Sequence, residues 1–186
     1  MTYLWRIPNE YPESLIGEYD KKCSPDRFLF VQGKRIGQPA SIPSFTFAGE
    51  PEALMKYDIL PNNTMVPLVS ERVARILRGL CPDDIELITA NIIAFGEKIL
   101  GFNLVNILPQ IASVDYEGSS FKCIPGTKQI MKFSQLKLKP NVLGAHHLAR
   151  AVEFNSFILA SEKLRLTFNS EHVMGLGFVL PEAFKP

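Results

Sequence analysis

The side chains best suited to chemistry are few in this sequence, and they are scattered. The three cysteines are Cys23, Cys81 and Cys123, and the three histidines are His146, His147 and His172. A nucleophilic thiol needs a base beside it and a third group to orient that base. Cys123, His146 and Asp115 are the set that folding could bring together for the purpose. A small thiol in or near the core is the plainer account of Cys123. Adjacent histidines on a strand point to opposite faces, so His146 and His147 would not share a metal ion. No CxxC, HExxH or His-x-His pattern occurs, so neither a metal site nor a cofactor is expected.

Two further groupings carry potential chemistry. Gly175-Leu176-Gly177-Phe178 is superficially like a phosphate loop, but it lacks a third glycine and no helix follows before Pro181. A phosphate cradle needs that helix N-terminus, so close backbone packing or a bulge explains the glycines better. Asp83, Asp84 and Glu86 form an acidic cluster. Such carboxylates can bind a hard cation or do acid–base work. A solvated loop is the default for them, and a negative patch that docks on a basic surface is the alternative. Arg72, Arg75 and Arg78 lie just before them. From these groups Arg72, Arg75, Asp83, Asp84 and Glu86 are taken as candidate contacts with a macromolecular partner.

The elements that must hold these residues follow from periodicity. Val73, Ile76, Leu77 and Leu80 recur at helical spacing, with Ser70 placed to cap the helix and Gly79 and Pro82 to end it. This predicts a helix over about 71–80, with its arginines turned to solvent. Residues 1–26 read as an irregular or partly extended lead-in. Arg27–Val31, Ile85–Ile93, Lys98–Leu108 and Ile111–Tyr116 read as strands. Residues 129–138 read as a strand with one wet face, at an edge. Further strands are expected over 148–153, 157–160 and 175–179, with a short helix from 162 capped by Ser161. Prolines crowd residues 37–67 and disfavour a long helix there. The division expected is an N-terminal extended or β region, 1–66, and a main domain, 67–186. Strands that do not alternate regularly with long helices point to an α+β fold with a mostly antiparallel sheet.

Composition narrows the function classes. Lys plus Arg is 20 against 19 for Asp plus Glu, so bulk charge favours neither nucleic acid nor an anionic membrane as partner. The distribution is uneven: residues 40–120 carry 10 acidic and 5 basic side chains, and residues 121–186 carry 4 and 9. The first thirteen residues, MTYLWRIPNEYPE, do not have the form of a signal peptide. No apolar run approaches the roughly 18 residues a membrane span needs. Three widely spaced cysteines suit reduced thiols, and the protein is expected in the cytoplasm.

A resemblance joins several segments. Leu60-Pro61 and Pro67-Leu68-Val69-Ser70-Glu71-Arg72-Val73 match one helix start. Phe102-Asn103-Leu104-Val105-Asn106-Ile107-Leu108, then Ile111-Ala112-Ser113-Val114-Asp115, match a strand pair. Phe157-Ile158-Leu159-Ala160-Ser161-Glu162-Lys163-Leu164 and Gly175-Leu176-Gly177-Phe178 match two closing segments. In this order and spacing, over roughly residues 58–180, the chain resembles the eleventh family of bacterial polymorphic-toxin immunity proteins. Leu148-Ala149-Arg150 keeps an arginine that the family shows, without the aromatic residue that often precedes it. The resemblance implies a non-enzymatic protein that binds and neutralises a cognate toxin of a contact-dependent or type VI-like secretion system. It carries over no binding residues. The alternatives are a small cysteine/histidine hydrolase and a self-associating module, a homodimer for instance.

Overall fold

Tyr3, Leu4 and Trp5 are all buried, which a strand achieves only when both of its faces are covered. The computed structural model describes residues 1–37, 39–127 and 129–184. It begins with that strand, β1 (Thr2–Arg6), followed by β2 (Glu18–Tyr19), β3 (Ser44–Phe47), helix α1 (Pro51–Leu54), β4 (Ile59–Leu60) and β5 (Leu68–Ser70). Helix α2 (Glu71–Leu80) leads to β6 (Ile85–Thr89), β7 (Asn91–Ala94), β8 (Glu97–Ile99), β9 (Phe102–Ile107) and β10 (Gln110–Ile111). The hairpin of β11 (Ser120–Cys123) and β12 (Ile130–Gln135) precedes β13 (Leu148–Ala151), β14 (Ile158–Ser161), helix α3 (Glu162–Ser170) and β15 (Gly177–Val179).

The strands form a five-stranded sheet in the order β10-β13-β14-β1-β15 and two four-stranded sheets, β2-β3-β7-β8 and β4-β5-β9-β6. The β11–β12 hairpin stands apart. Pairing is antiparallel except for β10 with β13 and β3 with β7. The architecture is α+β with mainly antiparallel sheets, as the sequence predicts.

Alternation along each strand sorts side chains between cores. Trp5, Leu148 and Ile158 of the five-stranded sheet pack with Val73 and Leu77 of α2 and Leu164 and Phe168 of α3. Leu4, Ala149 and Leu159, on the other face, pack against Ile130 and Phe133 of the hairpin. A third core joins Phe45, Phe47 and Ile92 to Leu60, Leu68 and Leu104. Both long helices start where predicted. The Ser70 hydroxyl accepts from the Val73 N–H at 3.3 Å, and the Ser161 hydroxyl from the Leu164 N–H at 3.1 Å. Each cap is worth about 1 kcal/mol.

Several expectations need correction. The lead-in, read as irregular or partly extended, is extended at residues 2–6, which form a full strand inserted between β14 and β15. Arg27–Val31 is a 3-10 helix. The Asp26 carboxylate caps it by accepting from the Phe28 N–H at 3.0 Å, and only Phe30 is buried. The apolar run 85–93 is two strands serving different sheets, β6 on β9 and β7 on β3. The run 98–108 divides likewise at Gly101, whose φ of +87° is readily available only to glycine. Of Ile111 to Tyr116 only Ile111 lies in a strand, β10, and Val114 makes an isolated bridge to Leu138. Residues 130–135 do form the edge-like strand expected, with only Ile130 and Phe133 buried.

Candidate functional site

The acidic cluster is drawn into the fold at two of its three members. Asp84 is 4% exposed. Its Oδ2 accepts from the His147 N–H at 2.7 Å and the Leu148 N–H at 3.0 Å, and its Oδ1 lies 2.6 Å from His146 Nδ1. The carboxylate therefore ties the loop after α2 to the start of β13, and the solvated-loop reading fails for it. Glu86 accepts from the Ile36 and Gly37 N–H groups at 2.8 and 2.9 Å and from the Asn106 amide at 2.8 Å. It fixes the loop that carries Ile36 and Gly37. Asp83 alone is exposed.

The arginines divide in the same way. Arg75 is exposed. Arg72 is not simply solvated: its Nε and Nη2 grip Asp58 at 3.1 and 2.5 Å, and Nη1 donates to the Glu171 carbonyl at 2.6 Å. Asp58 also accepts from the Ser70 hydroxyl and the Met174 N–H, both at 3.0 Å. Three segments distant in sequence thus converge on one carboxylate.

Burial alone would raise the pKa of Asp58, but Arg72, the Met174 N–H and Ser70 together outweigh it and hold the carboxyl below its ordinary value. For Glu86, burial is likewise outweighed by the Ile36 N–H, the Asn106 amide and the Gly37 N–H. The folded chain therefore binds protons at these sites less readily than the unfolded chain. Their stabilisation is complete above the ordinary values of 3.8 and 4.5 and is lost as pH falls through the lowered folded values. Thermal melts are expected to hold steady down to about pH 5 and to fall below it. Combining Asp58→Asn with Glu86→Gln should flatten that fall; an equally steep fall in the double variant would remove this account.

The proposed thiol set does not assemble. Among the described residues no hydrogen bond joins Cys123 to His146. Cys123 is exposed on β11 instead of lying in the core, while Asp115 pairs with Lys137 at 3.7 Å. Burial pushes the Cys81 thiol up to about 12. His147 Nδ1 lies 2.8 Å from Ser161 Oγ, but that hydroxyl already caps α3, and the nearby acid, Asp84, meets the ring of His146 and only the backbone of His147. Among the described residues no three His, Cys, Asp or Glu side chains are grouped as metal ligands, and no helix is long and apolar enough to cross a membrane. Gly175 meets the expectation of close packing. A Cβ there would lie 2.2 Å from the Ile59 carbonyl oxygen, and its φ is +97°.

Arg150, the arginine of the resembling segment, is fully buried. It donates to the Asn155 carbonyl, while its Nε and Nη2 have no partner among the described residues. Desolvation pushes the guanidinium down to about 10, so it stays charged at neutral pH.

The feature that sequence reasoning missed is an apolar groove with a cavity volume of about 430 Å³. It lies where the five-stranded sheet, the turn between β4 and β5, and the β11–β12 hairpin meet. Trp5, Ile59, Phe133 and Phe157 line it from the buried side. Ile7, Met65 and Met131 form an outer rim, 46%, 61% and 49% exposed. These residues are far apart in the chain, and scattered exposed apolar residues carry no signal when read one at a time.

No curated protein matches the chain. The model of the immunity protein family Imm11 matches residues 9–180. That span takes in α2, all but one of the strands and the whole segment over which the resemblance runs. On that match the chain belongs to the immunity protein family Imm11.

Proposed function

We propose that this protein binds a cognate bacterial toxin stoichiometrically in the cytoplasm and neutralises it by occlusion, without turning over a substrate. The toxin would belong to a polymorphic system delivered by contact-dependent or type VI-like secretion. Family membership along residues 9–180 carries the reading. The apolar groove supports it, because exposed apolar surface gathered in one place marks a protein–protein interaction site. Of the five sequence candidates, Arg75 and Asp83 are exposed and remain available to a partner, while Arg72, Asp84 and Glu86 hold the fold.

The test is protection. A host that expresses the toxin encoded beside this gene should stop growing, and co-expression of this chain should restore growth and yield a one-to-one complex. Exposed charges mainly steer encounter. Arg75→Glu combined with Asp83→Lys should therefore slow association by less than about tenfold and leave protection intact. No complex and no protection would refute the reading.

A further inference from the structure

We propose that the apolar groove is the toxin-docking surface, and that its occupant is a protein segment presenting a large apolar side chain beside an aspartate or glutamate. This rests on the immunity reading and names the partner chemistry that reading leaves open.

Three observations carry it. The first is a displayed rim. Met65 is 61% exposed with φ at +58°, a backbone conformation that is unfavourable for a non-glycine residue. The buried Asn62 holds it there. Asn62 Oδ1 accepts from the Thr64 N–H and hydroxyl at 3.0 and 2.5 Å, and its amide donates to the Val66 carbonyl at 2.8 Å. The turn is thus fixed before any partner arrives. Met131 lines the same groove from β12, and methionine adapts its shape to varied apolar partners.

The second is size. A volume of about 430 Å³ falls in the range that encloses a small organic group, which for a protein partner means a few side chains.

The third is charge. The groove is lined by Arg6 and Lys132 and by no acidic residue. Neither cation forms an ion pair among the described residues. The Arg6 guanidinium sits over the Phe184 ring, 5.0 Å from its centroid, and is partly desolvated, which strengthens its attraction for an arriving carboxylate. A second copy of this chain docking groove to groove would instead bring like charges together.

The experiment titrates the full-length protein with the inactivated toxin encoded beside its gene, by calorimetry. Met131→Glu is expected to weaken binding roughly 100-fold, as loss of a central contact does. Lys132→Glu is expected to weaken it about tenfold and to flatten its salt dependence. Met65→Gly suits the positive φ, so it should fold at least as stably as the parent while binding more weakly. If Met131→Glu and Met65→Gly both bind like the parent, the groove is not the docking surface, and the parent's own binding leaves the immunity reading standing. If the parent neither binds nor protects, both readings fall. A stable dimer in light scattering that Met131→Glu dissolves would make the occupant a second copy and overturn the proposal.

Discussion

A chain that begins at residue 67 is expected to show no cooperative unfolding transition, and deletion of residues 1–7 alone to give the same result. β1 lies between β14 and β15, with Leu4 opposite Leu159 on one side and Val179 on the other. Removing it parts those two strands and uncovers the partners of Tyr3, Leu4 and Trp5. Each of these large side chains stabilises by about 1.5–3 kcal/mol through burial. The lost ladder bonds add to that. The sum reaches the roughly 5–15 kcal/mol that holds a domain folded. The boundary at residue 66 is also crossed by β3 on β7 and β4 on β5, by Asp58 on Arg72 and by the Ile36 and Gly37 N–H groups on Glu86. The shortened chain should aggregate, because β14 would become an unpaired apolar edge. Circular dichroism melts and size-exclusion chromatography check this. A sharp, reversible melt from the 67–186 fragment would show that it folds by itself.

Asp84→Ala is expected to lower stability by roughly 3–5 kcal/mol. The carboxylate satisfies two backbone N–H groups at the start of a buried strand and faces the His146 ring. Without it those two donors are left without an acceptor in the interior, and each such loss costs about 1–3 kcal/mol. Asp84→Asn should cost less, because its remaining oxygen can still accept from both backbone N–H groups while its amide faces the His146 ring. Asp83→Ala, one residue earlier but exposed, should change stability by less than about 0.5 kcal/mol. Urea unfolding separates these cases: the midpoint should shift for Asp84 with little change in slope. A shift of less than about 1 kcal/mol for Asp84→Ala would mean that the clamp does not hold β13.

Local rules govern several elements, and those were legible early. The α2 helix and its Ser70 cap, the Ser161 cap of α3, the wet face of residues 130–135 and the packing role of Gly175 all depend on short-range spacing or on one residue's geometry. The family, too, was legible, because it rests on the order of short motifs along the chain.

What the sequence could not assign was partnership between distant segments. Tyr3-Leu4-Trp5 sits among prolines and polar residues, and only pairing with β14 and β15 makes it a strand. Arg27–Val31 has strand-like residues but gains no pairing partner, so local capping by Asp26 decides its form. Adjacent aspartates look identical in sequence, yet one is inside and the other is wet. The groove is the extreme case, assembled from six separated stretches of chain. The sequence determined the fold class, the capped helices and the family, because these follow from residues close together. Tertiary structure decided which carboxylates are structural, where the N-terminal strand lies and where the apolar surface opens, because burial belongs to the packed whole and to no short segment.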